Sequence, residues 1–330
     1  MTKQAASPKG QKAKKPRSVL ITGVTGTIGR QLAQQLYFDK NVKFILGIAK
    51  DERPYYFDEY DPKKFTYSQV DITKARDLNN LFFSDVFKDA GIDTVVHLAF
   101  QNRPSQHGQK SHDLNVIGTK NMLEKCIETP GITNFIFKSS GIVYKILPHG
   151  DVYLDEESDL NFDGDTDQWI KDRVDADMLC RARMDSQKVD ITVLRFSNIV
   201  GRNVHSQINE YLQSPLCVKV AGFDPMVNLI DIKDVLAATR MAIDKKARGV
   251  YNIVGKDTAP LSFFVRQSGA RAMELPGPLV MPVNVLQRKL GITTYNYEVD
   301  QRRLRYSALL DSAKAERELG YTPKHHVDFG

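Results

Sequence analysis

Three glycines, Gly23, Gly26 and Gly29, stand three residues apart in the stretch VLITGVTGTIG, residues 19–29. The apolar and β-branched run before them reads as a short strand buried on both faces. Leu32, Ala33 and Leu36 follow at helical spacing. A strand, a glycine turn and a helix in that order form a phosphate cradle. Gly23 permits the tight turn, Gly26 lets the backbone approach a pyrophosphate, and Gly29 lets helix and strand pack closely. The first helical turn, which includes Thr27 and Ile28, then presents unpaired N–H groups and a positive dipole end to an anion. The chemistry this implies is nucleotide binding.

A cradle of this kind needs a sheet to carry it. Apolar strand-like runs fall at residues 42–48, 69–72, 94–99, 135–139, 191–196 and 250–254. Helical stretches at 75–88, 114–127, 168–183 and 232–243 separate them. Short apolar strands alternating with helices predict an α/β fold, a doubly wound parallel sheet covered on both faces, with right-handed crossovers. Residues 202–228 and 256–330 break the alternation. They are expected to form a smaller substrate lobe at the carboxyl ends of the strands, where open α/β sheets bind ligands. The nucleotide-binding part is then 18–201 plus 229–255. Within the lobe, residues 275–290 (LPGPLVMPVNVLQRKL) read as a packed helix, or else as a lid or membrane-touching segment.

The composition of 42% apolar and 26% charged residues in 330 is that of a globular protein with a large core. The net charge of +6 is concentrated in residues 1–17, which hold six basic and no acidic residues. That tail is expected to be disordered and solubilising, with weak contact to an anionic membrane surface as the alternative reading. The remainder is neutral, so no specific nucleic-acid partner is implied. Cys126, Cys180 and Cys217 lie far apart, which excludes metal and redox spacings and points to reduced thiols in a cytoplasm. No apolar run reaches the length of a membrane span.

Taken together, TGVTGTIG, VDI at 70–72, DTVVHLA at 93–99, NVIGTKNML at 115–123, SSGIVY at 139–144, LRFSNIVG at 194–201, LIDIKDV at 229–235 and DSAKAERELGYTP from Asp311 carry a resemblance. The chain resembles the extended short-chain dehydrogenase/reductase family, in its NAD-dependent epimerase/dehydratase group and UDP-glucose 4-epimerase-like branch. The resemblance implies a Rossmann fold and an NAD(P) cofactor. It implies that Asp71 and Ile72 hold the adenine, and that Leu98 and Ala99 line ribose and pyrophosphate. It further implies that Asn115 braces the sheet, that Phe196 lies against the nicotinamide, and that Asn198 meets substrate phosphates. Helix or strand capping is the alternative for Asp71 and Asn115. Ser140 matches the hydroxyl that binds the reacting oxygen.

Two positions depart from the family pattern. The acidic residue that accepts the ribose 2′-hydroxyl of NAD is replaced by Ala49, followed by Lys50 and Asp51. Lys50 can pair with a 2′-phosphate, which gives NADP a modest preference unless Asp51 swings in and keeps NAD. The second departure is in the catalytic pair, a Tyr and a Lys one helical turn apart, which here becomes Trp169 and Arg173. An indole N–H only donates and a guanidinium stays charged, so Trp169 carries no proton, although Arg173 can still hold ribose hydroxyls. Losing a general acid–base group is worth roughly 100- to 10,000-fold in rate. The spacing recurs at Tyr60 and Lys64, but Pro62 opposes a helix there. Tyr144, His149 and Asp172 are nearer substitutes.

Two readings follow. One is an atypical oxidoreductase or epimerase acting on a sugar-like, nucleotide-linked small molecule. The other is a catalytically impaired NAD(P)-binding scaffold or regulator. An apolar stripe at Ile170, Val174, Met178 and Ala182 suggests a homodimer.

Overall fold

The computed structural model describes residues 16–104, 108–185 and 188–329. The basic tail lies outside the described residues except for Pro16 and Arg17. Arg17 opens the first strand, and its guanidinium donates to the Asp244 carbonyl at 3.0 Å.

Seven parallel strands form the central sheet: β1 (Arg17–Thr22), β2 (Val42–Ala49), β3 (Phe65–Gln69), β4 (Thr94–His97), β5 (Asn134–Ser140), β6 (Asp190–Phe196) and β7 (Gly249–Ile253). Their spatial order is β7-β6-β5-β4-β1-β2-β3. The chain therefore winds outward in both directions from β1 and β4, which makes a doubly wound Rossmann-type sheet with a crevice above that reversal. Val19, Leu20 and Ile21 of β1 are fully buried, as a strand covered on both faces requires. One face packs against helices α1 (Thr27–Tyr37) and α5 (Ile232–Lys245). The other packs against α2 (Ala75–Phe83), α3 (Thr119–Glu128) and α4 (Gln168–Arg181).

Local chemistry shifts several boundaries. The third strand is Phe65–Gln69, so it ends three residues before the close expected at residue 72. The Val70 amide makes the last ladder bond, to the Ala49 carbonyl, and Asp71 then turns the chain by accepting from the Thr73 amide and hydroxyl. The helix expected at 75–88 is two helices. Ser84 is extended and accepts from the Phe87 amide, capping a new helix at Asp85–Ala90. The stretch expected at 114–127 begins at Gln109 and passes through a wide π-helical turn, Asp113–Gly118, before α3.

Residues beyond the sheet form small β pieces. Asn198–Val200, Met226–Asp231 and Asp257–Pro260 make one, and Leu216–Val220 with Arg271–Leu275 make another. They enclose an apolar cluster that includes Tyr211, Leu212, Phe264 and Val280. The 275–290 stretch is a helix, Gly277–Lys289. Val280 faces that cluster, while Leu279, Met281 and Leu286 are exposed. Among the described residues no helix is long and apolar enough to cross a membrane.

A buried polar network fastens α4 to the sheet. Arg195 of β6 and Asp177 of α4 are both inaccessible to solvent, with Nη2 to Oδ1 at 2.6 Å and Nε to Oδ2 at 3.0 Å. The Ser139 hydroxyl of β5 donates to the same carboxylate. Arg195 Nη1 also donates to the Tyr144 hydroxyl at 2.9 Å and the Glu156 carbonyl at 3.3 Å. The stripe read as a dimer face is largely used within the chain. Ile170 and Val174 are buried against Val143, Leu154 and Leu310, and only Met178 and Ala182 remain partly or fully exposed.

Removing one partner of a buried ion pair leaves the other charge uncompensated, which costs about 3–5 kcal/mol. Asp177→Ala is expected to lose that much stability in urea denaturation, whereas a loss under 1 kcal/mol would contradict the role given to this pair.

Candidate functional site

A cleft of about 450 Å³ opens over the carboxyl ends of β1, β2, β4 and β5. It is lined by Gly23, Gly26, Thr27, Ile28, Gly29, Lys50, Asp71, Ile72, Leu98, Ala99, Ser140, Trp169, Arg173 and Asn198, all named from the sequence. Two others do not line it. Phe196 is 1% exposed in the core beneath the cleft, because it ends β6 on the face covered by α1 and α5. Asn115 is fully buried and acts from behind, its Oδ1 accepting from the Gln101 amide at 2.8 Å.

The glycine turn has the geometry of a phosphate cradle. Gly23 adopts φ +65°, and a Cβ there would lie 2.8 Å from the Ala99 backbone. At Gly29 a Cβ would meet the Gly23 carbonyl at 2.3 Å. At Gly26 it would meet only that carbonyl, at 3.3 Å, and otherwise enter the cleft. The first turn of α1 has no side-chain cap and no acidic residue. Its N–H groups and dipole end therefore face the cleft free of an internal anion. Bare backbone, an uncapped helix end and a long cleft fit a dinucleotide.

Opposite the glycines, residues 98–102 are held at three points. The Leu98 and Ala99 amides both donate to Thr22 Oγ1 at 3.1 Å. Gln101 is held through its amide by Asn115 and through its carbonyl by Arg173 Nη2 at 3.0 Å. Thr22 Oγ1 lies 2.8 Å from His97 Nδ1, and His97 Nε2 lies 3.0 Å from the Thr119 hydroxyl. Burial pushes the His97 pKa down to about 3, so this link is a neutral imidazole.

At the adenine end, Lys50 is not free. Its ammonium lies 3.2 Å from Asp71 Oδ2. Burial alone would raise the Asp71 pKa, but the Thr73 hydroxyl and amide and then Lys50 overcome it and hold the carboxyl below its usual value. Asp51 turns onto the glycine loop, where its Oδ2 accepts from the Thr25 hydroxyl at 2.8 Å.

At the other end, Asp167 caps α4 by accepting from the Trp169 amide. The Arg173 guanidinium stacks on the Trp169 ring at 3.6 Å and lies 5.0 Å from the Phe100 centroid. It donates to the Trp169 carbonyl at 2.9 Å. Burial, offset in part by Asp172 and Asp167, brings its pKa down to about 9. Trp169 Nε1 is buried with no hydrogen-bond partner among the described residues. Ser140 caps a short turn, its Oγ accepting from the Ile142 amide at 3.3 Å. Asn198 Nδ2 donates to the Asn228 carbonyl.

None of the three substitute proton carriers lines the cleft. Tyr144 is buried in the Arg195 network, and burial pushes its pKa up to about 12 against the pull of Arg195. His149 is exposed, and Asp172 is buried with its Oδ1 2.8 Å from His112 Nδ1. Tyr60 stacks on Tyr37, away from this end. The sequence reading missed Lys138, on β5 two residues before Ser140, and His205, whose Nδ1 lies 2.7 Å from Arg103 Nη2. Strand alternation marks Lys138, since a lysine stands there in an apolar run, but His205 lies in an irregular stretch with no motif. Among the described residues no cluster fit for a metal ion is present.

The model of the NAD dependent epimerase/dehydratase family matches residues 19–254. The chain belongs to this family. An uncharacterized protein of Mycobacterium tuberculosis is 27% identical over 316 residues, covering 94% of this chain and 81% of the relative. An N-acetyl-alpha-D-glucosaminyl-diphospho-ditrans,octacis-undecaprenol 4-epimerase of Escherichia coli is 24% identical over 80% of this chain and 77% of its own. Among solved structures, MoeE5 in complex with UDP-glucose and NAD superposes with a TM-score of 0.67 at 19% identity, covering 94% of each chain. UDP-glucuronic acid 4-epimerase from Bacillus cereus, in complex with NAD, gives 0.66 at 19% identity, over 93% of this chain and 94% of its own. Those structural likenesses show the fold.

Gly26→Val is expected to abolish dinucleotide binding in calorimetry while keeping the parent melting temperature, because its side chain fills the cleft and not the core. Gly29→Val, driven into the backbone of residues 23 and 24, is expected to lower the melting temperature instead. Undiminished binding by Gly26→Val would show that the cradle is misassigned.

Proposed function

We propose that this chain is a nicotinamide-dependent oxidoreductase or epimerase that acts on a sugar joined to a diphosphate. The observation that carries this reading is the single cleft running from the glycine cradle to Ser140. In it, the glycine backbone and the α1 terminus hold the pyrophosphate. Asp71 and Ile72 flank the adenine, and Leu98 and Ala99 line the wall across from the glycines. When bound, the nicotinamide takes up and returns a hydride at a substrate carbon. Ser140 hydrogen-bonds the oxygen on that carbon, and Arg173 holds hydroxyls of the cofactor ribose while closing residues 98–102 over it.

Charge along the cleft supports the substrate class. Its acidic lining residues, Asp51 and Asp71, lie at the adenine end, while Lys138 and Arg173 make the other end cationic. A cationic end beside Asn198 suits the phosphates of a sugar diphosphate. The relatives named above include epimerases of such sugars. The scaffold reading rests on Trp169 and Arg173, which carry no proton, but it leaves the cationic, half-buried Lys138 beside Ser140 without a role.

The cofactor reading changes with Lys50 and Asp51. With Lys50 engaged by Asp71, the Asp51 carboxylate, which accepts from Thr25 through one oxygen, keeps its other oxygen as an acceptor for a ribose hydroxyl and is a repulsive neighbour for a 2′-phosphate. NAD is therefore favoured, by about 1 kcal/mol or several-fold for one exposed charge contact. Titration calorimetry is expected to give tighter binding of NAD than of NADP, with Asp51→Asn bringing the two together. Tighter binding of NADP by the parent chain would restore Lys50 as the 2′-phosphate partner.

A further inference from the structure

Lys138 is the titratable group that the cleft places beside Ser140. The two residues are i and i+2 on β5 and so share a face, about 6.6 Å apart along the strand. Ser139 between them turns the opposite way and is bound by Asp177 of α4. Lys138 is half-buried and lines the cleft together with Ser140, Trp169 and Arg173. No carboxylate pairs with it among the described residues. The neighbouring strands put apolar side chains at its level, Leu194 of β6 in register with it and Leu98 just past the end of β4. The charged group facing it from α4 is Arg173. Asp177, one helical turn beyond Arg173 on α4, is consumed by Arg195 and Ser139.

Resting on the functional reading above, we propose that Lys138 carries the proton that the Tyr of the family dyad would carry, with its Nζ as the base in substrate oxidation and the acid in reduction. In oxidation the substrate C–H bond breaks and its electron pair leaves as hydride to the nicotinamide dinucleotide. The O–H bond breaks, its proton moves to the Lys138 amine, and the C–O bond becomes a carbonyl. In reduction the ammonium returns that proton as the hydride comes back to carbon. Ser140 serves as a hydrogen-bond donor to the reacting oxygen and does not change charge.

The electrostatics agree with this role. Burial first, and the positive charge of Arg173 second, pull the Lys138 pKa from 10.5 down to about 8. A general base is most effective when its pKa lies near the working pH. Near neutral pH a part of the Lys138 population is then neutral and able to accept, and the rest is charged and able to donate.

A first test reads the amine directly, with no substrate present. Acetylation of Lys138 by limiting acetic anhydride across pH, read by peptide mass spectrometry on the full chain, is expected to give half-maximal reactivity near pH 8 and protection by NAD. An ordinary lysine titration near 10.5 would overturn the proposal. With UDP-hexoses as probes, the oxidation rate of the parent is expected to rise through pH 8. Lys138→Met is expected to lower kcat 100-fold or more and remove that rise. Lys138→Arg, which keeps the charge but cannot release a proton, is expected to be equally slow. Both variants are expected to bind NAD as the parent does. Retained turnover with an unchanged pH profile in either variant overturns the role of Lys138 alone. A parent chain that binds no NAD overturns the underlying functional reading as well.

Discussion

The arrangement of the site depends on one buried ion pair, Arg195 with Asp177. Both are inaccessible to solvent, so each must have its hydrogen-bonding capacity met by protein. Asp177 uses both oxygens on Arg195 and takes the Ser139 hydroxyl as well, and Arg195 spends a remaining donor on Tyr144 and the Glu156 carbonyl. Because a guanidinium is a rigid planar fork, those partners fix the azimuth and height of α4 against β5 and β6. Trp169 and Arg173 belong to α4, and Lys138 and Ser140 belong to β5. The distance between the two walls of the cleft is therefore set by a polar clamp one helical turn below it.

A second clamp holds the third wall. The Thr22, His97, Thr119 and Asn115 chain ties the ends of β1 and β4 to the helix behind them, and from it residues 98–102 receive three of their hydrogen bonds. His97 can serve only while it is neutral, since a charged imidazole at full burial would lack a counterion. The fourth bond on this loop comes from Arg173, which reaches across the cleft to the Gln101 carbonyl. Arg173 thus joins the two clamped walls with a cation that has stacked rings and carbonyls, and no carboxylate, as its immediate partners. A binding wall that depends on this contact tolerates arginine better than lysine, because a single ammonium cannot reach two carbonyls in one plane while lying flat on an indole.

What the sequence shows of this protein follows from which interactions are local. The glycine turn, the buried strands and the alternation with helices are encoded over a few residues each, so the sheet and the cradle are legible. Element ends are set by single side chains reaching backbone, such as Ser84 starting a new helix and Asp71 ending a strand, and apolar periodicity does not register them. The placement of Phe196 is not legible in the sequence, because a strand-end residue faces either the cleft or the core and only the packing of α1 and α5 decides which. The pairing of Lys50 with Asp71 joins two strand ends and is visible only once β2 and β3 are laid side by side. Strand alternation singles out Lys138, but its setting depends on Arg173, 35 residues away on another element.

Replacing a phenol and an amine by an indole and a guanidinium removes the proton carrier but keeps the cation, and the cation is what the site electrostatics turn on. A positive charge beside a phenol lowers its pKa by favouring the phenolate. The same charge beside an amine lowers its pKa by opposing the ammonium. Arg173 therefore does for an amine what the family lysine does for a tyrosine, pulling a group of ordinary pKa 10.5 toward the pH at which it can both give and take a proton. The indole lines that end of the cleft and stacks on the Arg173 guanidinium, and its Nε1 is buried with no partner among the described residues. Under the role proposed for Lys138, the proton chemistry stands on the strand and the cation that tunes it stays on the helix.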